Sequence, residues 1–181
     1  MNVALFLIGI GKVLFGILVG ALGVWLGARV LGRLLRLGEI DEELAKGNAA
    51  VAVISAAGLL SLGLLAQHAV SATFAAMDLM YRGQKLAPVM LSKFAFYGLA
   101  HVALSLAVGA LALAVGTFLF VRLTRGVDEL AEIRKGNLAP ALVLGAVMVV
   151  IALVAAPGLE TALDGLLPLP ELARDEVMAP S

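Results

Sequence analysis

Polar side chains able to do chemistry are few in this sequence, and they fall in two settings. Lys12, His68 and His101 lie within or at the ends of long apolar runs. Asn48 and Asn137 each close an acidic-amphipathic stretch, residues 39–48 and 128–137, and both stretches end Lys-Gly-Asn. A charge at mid-bilayer costs about 2.5–3.5 kcal/mol on insertion scales, so an intramembrane lysine is a functional candidate by default. Depth decides its meaning. Lys12 and Arg29 are about 25 Å apart along a helix. With Arg29 at one interface, Lys12 reaches the other, where its stem can snorkel. Histidine titrates nearest neutrality, and His68 and His101 could meet at one side of a membrane as a proton relay. Two histidines without a carboxylate at ligand spacing are a poor metal site.

No nucleophile–base set, phosphate-binding glycine loop or metal motif is present, so no catalytic, cofactor or metal residue is expected and the chain reads as no enzyme. Cysteine is absent, which excludes disulfides, thiolate metal sites, cysteine nucleophiles and lipidation on cysteine. The 13 Lys+Arg balance 13 Asp+Glu, so a strongly basic nucleic-acid binder is excluded.

The elements that must hold these groups follow from composition. Of 181 residues, 62% are hydrophobic and 14% charged. Soluble domains average about 45–50% and about 25%. Such a chain hides its apolar surface in lipid. Four continuous apolar runs, near residues 3–30, 49–70, 94–121 and 138–156, each approach or exceed the roughly 20 residues a membrane helix needs. They show no period-2 alternation, so a barrel is not a rival.

Shifted by 89 residues, the sequence matches itself. Val19-Gly20-Ala21-Leu22 falls on Val108-Gly109-Ala110-Leu111, and Arg33-Leu34 on Arg122-Leu123. Arg36 falls on Arg125, Glu43 on Glu132, and Lys46-Gly47-Asn48 on Lys135-Gly136-Asn137. Apolar matches are cheap in such a chain; those at Arg, Glu, Lys and Asn are not. The expected architecture is an all-α membrane protein with four transmembrane helices, built as two tandem helical hairpins in parallel, same-orientation repeat. The hairpins occupy residues 1–70 and 94–167. Residues 71–93 form an outer connection, either an amphipathic surface helix or a continuation of the second helix. Residues 168–181 are expected to be a disordered tail. Because the first apolar run has an internal counterpart, it reads as a retained structural helix and not as a signal peptide.

Four Lys/Arg lie in the first hairpin loop (Arg29, Arg33, Arg36, Lys46) and four in the second (Arg122, Arg125, Arg134, Lys135). The other side carries Lys12, Arg82, Lys85, Lys93 and Arg174. The positive-inside rule then puts both hairpin loops in the cytoplasm and both termini outside. In each loop a short interfacial helix is expected, opened by acids and closed by lysine as the helix dipole favours. Gly47 and Gly136 suit left-handed C-caps, and Asn48 and Asn137 suit N-caps of the following membrane helices. The functional alternative makes the two Asn and the nearby acids a paired cytoplasmic binding site.

The loop pattern, best seen in Val127 to Ala141, resembles the YjfL-like family, a bacterial inner-membrane family of unknown function with two copies of a two-helix unit. The first copy departs from it, with Glu-Ile-Asp-Glu-Glu-Leu-Ala where the second has Asp-Glu-Leu-Ala-Glu-Ile-Arg. The resemblance implies a multi-pass location in the bacterial inner membrane and supplies no activity.

Gly9, Gly16, Gly20, Gly23 and Gly27 fall in one stripe at about 100° per residue. Their counterparts are Gly98, Ser105, Gly109, Ala112 and Gly116, again all small. The stripe reads as a seam for close helix packing, with the first and third spans at the centre. The seam is expected to face a neighbouring helix or subunit. The partners expected are the lipid bilayer and a second copy or another membrane protein. The leading function is a non-catalytic, oligomeric scaffold or subunit of a bacterial envelope system. The alternatives are a small channel or transporter subunit and, last, an intramembrane enzyme. No Pro/Gly-broken pair of mid-membrane helices marks a transporter site.

Overall fold

Long apolar runs without interior punctuation become long helices, because in lipid every backbone N–H and C=O must find its partner within the segment. The structure is a computed structural model that describes residues 3–35, 40–80, 88–123 and 128–166. Its helices are α1 (Val3–Leu34), α2 (Ile40–Ala45), α3 (Ala49–Met80), α4 (Pro88–Leu123), α5 (Glu129–Arg134) and α6 (Leu138–Asp164). No strand occurs among the described residues. The segments Ile8–Leu34, Ala49–Asp78, Ser92–Arg122 and Leu138–Asp164 are long and apolar enough to cross a membrane. At 27 to 31 residues each they measure about 40–47 Å. That exceeds a hydrocarbon core of about 30 Å, so they tilt or project beyond it. The expected tail 168–181, the residues 81–87, and Arg36, Arg82, Lys85, Arg125 and Arg174 of the charge tally lie outside the described residues.

The described residues fix two boundaries. Residues 71–80 are the last turns of α3 and 88–93 the first turns of α4, and Ala72, Thr73 and Ala76 are buried in the bundle. Residues 71–80 thus continue the second span. Pro88 opens α4, where its missing N–H would have no intrahelical partner anyway. The fourth apolar run ends near Ala156, and the helix built on it continues through Pro157 to Asp164. An internal proline removes one backbone bond. Here the added turns bury Leu159 and Leu163 in a cluster with Leu65, Ala69 and Val102.

Contacts give each helix its direction. Lys12 meets Asp78 while Gly27 lies against Leu59 and Leu62, so α1 and α3 are antiparallel. Ser105 meets Leu65 and His101 meets Thr73, so α4 also opposes α3. Gly145 lies against Ala57 and His68 faces Glu160, so α6 runs with α3. The centre is not the first and third spans. It is α3, which packs on α1, α4 and α6, while α1 is peripheral. The reason is side-chain size. Along α3, Ala50, Gly58, Ala66, Ala69 and Ala76 let neighbours approach from several sides. On α1 the glycines are flanked by exposed Leu18, Leu22 and Trp25. In lipid such close approach stabilises through van der Waals packing, since apolar side chains gain little by leaving one hydrocarbon for another.

Candidate functional site

At the hairpin-loop end, sequence chemistry and geometry meet residue by residue. The C-cap of α2 is a Schellman motif: Gly47 N–H donates to Leu44 O (2.9 Å) and Asn48 N–H to Glu43 O (3.0 Å). Gly47 has φ 76°, the left-handed conformation that such a cap needs. α5 ends the same way, with Gly136 at φ 91°, Gly136 N–H to Ile133 O and Asn137 N–H to Glu132 O, both 3.0 Å. Each asparagine then caps the next helix. Asn48 Oδ1 accepts from Val51 N–H (3.2 Å) and Asn137 Oδ1 from Ala139 N–H (3.1 Å).

An ion-pair clasp closes each corner. Lys46 Nζ donates to Glu43 at 2.8 Å and Asn48 Nδ2 to the other carboxylate oxygen at 3.1 Å. Lys135 and Asn137 hold Glu132 likewise, at 2.8 and 3.3 Å. The lysine, then the asparagine, holds each glutamate below the usual carboxylate range, and each lysine is raised in turn. All four side chains sit outside the spans.

The two corners are not equivalent. Asn48 Nδ2 also reaches Arg134 O at 3.0 Å and Ile133 O at 3.5 Å, closing the C-terminal carbonyls of α5. Asn137 is exposed, its amide bonding within its own loop. Replacing Asn48 with alanine should therefore cost about 1–2 kcal/mol in detergent unfolding, and Asn137→Ala about half as much. Equal losses at the two sites would contradict the cross-loop bond.

At the opposite end the polar residues separate into three pairs. Lys12 Nζ lies 3.2 and 3.3 Å from the Asp78 carboxylate oxygens and 5.1 Å from the Phe74 ring centroid. His68 Nδ1 faces Glu160 at 3.9 Å. His101, fully buried, lies 3.1 Å from Thr73 Oγ1. The Thr73 hydroxyl donates to Ala69 O at 2.7 Å. Its oxygen is thus left to accept from His101 Nδ1–H, which fixes the tautomer of the neutral ring. Nε2 then has a lone pair, buried and without a partner among the described residues. Ser105 Oγ donates to Leu65 O at 2.6 Å one turn further on. The two histidines, expected as a possible pair, take different partners on different helices.

Asp78, Thr73 and Glu160 were not singled out from the sequence. Asp78 and Glu160 lie beyond the apolar windows that marked the spans, and a threonine among alanines carries no signal of its own. Among the described residues no group of three or more His, Cys, Asp or Glu side chains is placed to hold a metal ion.

The glycine stripe divides. A Cβ at Gly27 would stand 2.7 Å from Leu62 Cδ1, at Gly98 3.3 Å from Phe15 and Thr73, at Gly109 2.6 Å from Leu62 Cδ2, and at Gly116 3.2 Å from Ile151 Cδ1. At Gly9, Gly16 and Gly20 it would meet nothing within 4 Å, and at Gly23 only Leu106 at 3.9 Å.

Compared with known proteins, residues 4–159 match the model of a family described as Domain of Unknown Function (DUF350). No curated protein and no solved structure matches the chain.

Proposed function

Since the chain belongs to the DUF350 family, we propose that it is a non-catalytic subunit or scaffold that works as an oligomer in the membrane. Within the family we place it with the YjfL-like proteins that its loops resemble, in the bacterial inner membrane, with both hairpin loops cytoplasmic and both termini outside. The two hairpins are a tandem duplication in one orientation. Its partners are the bilayer and further membrane-protein surface, with no role in nucleic-acid binding.

One observation carries this reading. The most apolar window of α1 is only 17% buried within the chain, against 50% for α3. A helix so lightly held still presents open glycines at Gly9 and Gly20. Lipid tails have no need of a small-residue groove, whereas a second helix does. The interior supports the same reading. Leu65, Leu113, Leu144 and Met148 fill it, and Thr73 and Ser105 spend their hydroxyls on carbonyls inside the bundle.

A small channel or transporter subunit is the second reading, favoured by the unpartnered Nε2 of His101. The test is mass by light scattering in mild detergent, paired with proton and solute flux in liposomes. A stable mass above one chain with no flux is expected. A monomer overturns the oligomeric reading, and flux lost in His101→Leu moves the assignment to transport.

A further inference from the structure

The two hairpins use their surfaces one-sidedly. α3 of the first presents Ile54 and Leu65 to the second, and Ser61, one turn before Leu65, is buried on the same helix; all three are 1% exposed or less. The residues 89 further on, on α6, are Val143, Val150 and Val154, and they are 55%, 55% and 76% exposed. The loops show the same imbalance. Ile133 on α5 is 1% exposed, covered at the start of α3, while its counterpart Leu44 on α2 is 42% exposed. Asn48 crosses to the α5 carbonyls, and Asn137 crosses to nothing.

A contact in which one unit offers one face and its copy receives with another is heterologous. Such a contact repeats until a ring closes or a filament grows. Within the chain, the receiving side of the second hairpin is Gly98, Ser105 and Gly109 on α4, filled by Thr73, Leu65 and Leu62 of α3. The same side of the first hairpin is Gly9, Gly16 and Gly20 on α1, and it is empty. The chain therefore carries one finished copy of this interface and the two unused halves of another, on α6 and on α1–α2.

We propose that a second copy of this chain docks head-to-tail, its α1–α2 face receiving α6 of the first and reproducing between chains the interface seen between the hairpins. Val154 then lies against the next copy's Gly20, as Leu65 lies against Gly109, 3.6 Å from a Cβ at that glycine. Asn137 reaches the Ala45 carbonyl of α2 in that copy, as Asn48 reaches Arg134 O. Leu44 is covered as Ile133 is covered. The proposal rests on the oligomeric reading above and adds its geometry.

The chain has no cysteine, so cysteine pairs report contacts without background. α1 and α6 both pack on α3 and α4 and not substantially on each other, which puts a 20–154 disulfide within one chain out of reach. In membranes, oxidised full-length Gly20→Cys/Val154→Cys should form a ladder of linked chains on a non-reducing gel, and each single variant should stay unlinked. Gly20→Leu, at a position where an added Cβ meets nothing within 4 Å among the described residues, should reduce the oligomer to single chains at unchanged helix content. A wild-type oligomer that links 20 to 20 or 154 to 154, or ignores Gly20→Leu, overturns the head-to-tail arrangement alone. A wild-type monomer with no linkage overturns both this arrangement and the oligomeric reading.

Discussion

Gly145→Leu is expected to lower the stability of the bundle by about 1–3 kcal/mol, the usual cost of forcing volume into a packed core. A Cβ at Gly145 would lie 2.9 Å from Ala57 Cβ. That carbon is fixed by the backbone of α3 and cannot rotate away, so the two helices must separate. The contrast with Gly58 is informative. There the nearest atoms to an added Cβ are the Leu31 methyls at 2.6 Å, and those are the end of a flexible side chain. Gly145→Ala alone should be destabilising, and Ala57→Gly in the same chain should recover most of the loss by exchanging the bulk across the interface. Gly11→Leu, on the open side of α1, is the control and should hardly move the unfolding midpoint followed by circular dichroism. If Gly145→Leu leaves that midpoint unmoved, α3 and α6 are not in the contact described.

The second large effect concerns His101. Thr73→Val removes the acceptor that Nδ1–H has among the described residues while leaving the imidazole buried, and an unsatisfied buried donor costs about 1–3 kcal/mol. His101→Leu removes ring and requirement together, at similar volume, and eliminates the unpartnered Nε2 as well. It should therefore cost less than Thr73→Val, and adding Thr73→Val to His101→Leu should cost little more. The ordering matters beyond stability. If His101→Leu proves the more damaging change, Nε2 has a partner in the working protein, a water or an ion, and the transport reading gains.

Much of this was legible in the sequence because lipid enforces simple rules. Continuous apolar runs gave four spans. The 89-residue match anticipates that α2 and α5 span equivalent positions, 40–45 and 129–134, and that α3 and α6 start at 49 and 138. Lys-Gly-Asn read correctly as cap followed by cap because each residue type there has a local task that needs no tertiary knowledge. What escaped was tertiary. The sequence treats the hairpins as equals, and expected the first and third spans at the centre. Packing breaks that equality: α4 is embraced and α1 is left at the edge, a difference that lies in which copy follows which along the chain. The Lys12–Asp78 pair escaped because its members are 66 residues apart and Asp78 lies beyond the apolar run that marked the second span. The turns of α6 beyond Pro157 also escaped, since the apolar run by itself ended near Ala156. Those turns are held by Leu159 and Leu163, whose burial depends on residues distant in the chain.

The loop corners have a mechanical consequence. Asn48 is at once the residue whose N–H finishes α2 and the residue whose side chain starts α3, and Asn137 has the same double duty between α5 and α6. Only three residues, Lys-Gly-Asn, separate each short helix from the span that follows it, and their caps and ion pair hold them in place. Each corner is a crank, not a tether. A rotation imposed on either short helix would pass into α3 or α6, the two helices through which the hairpins grip each other.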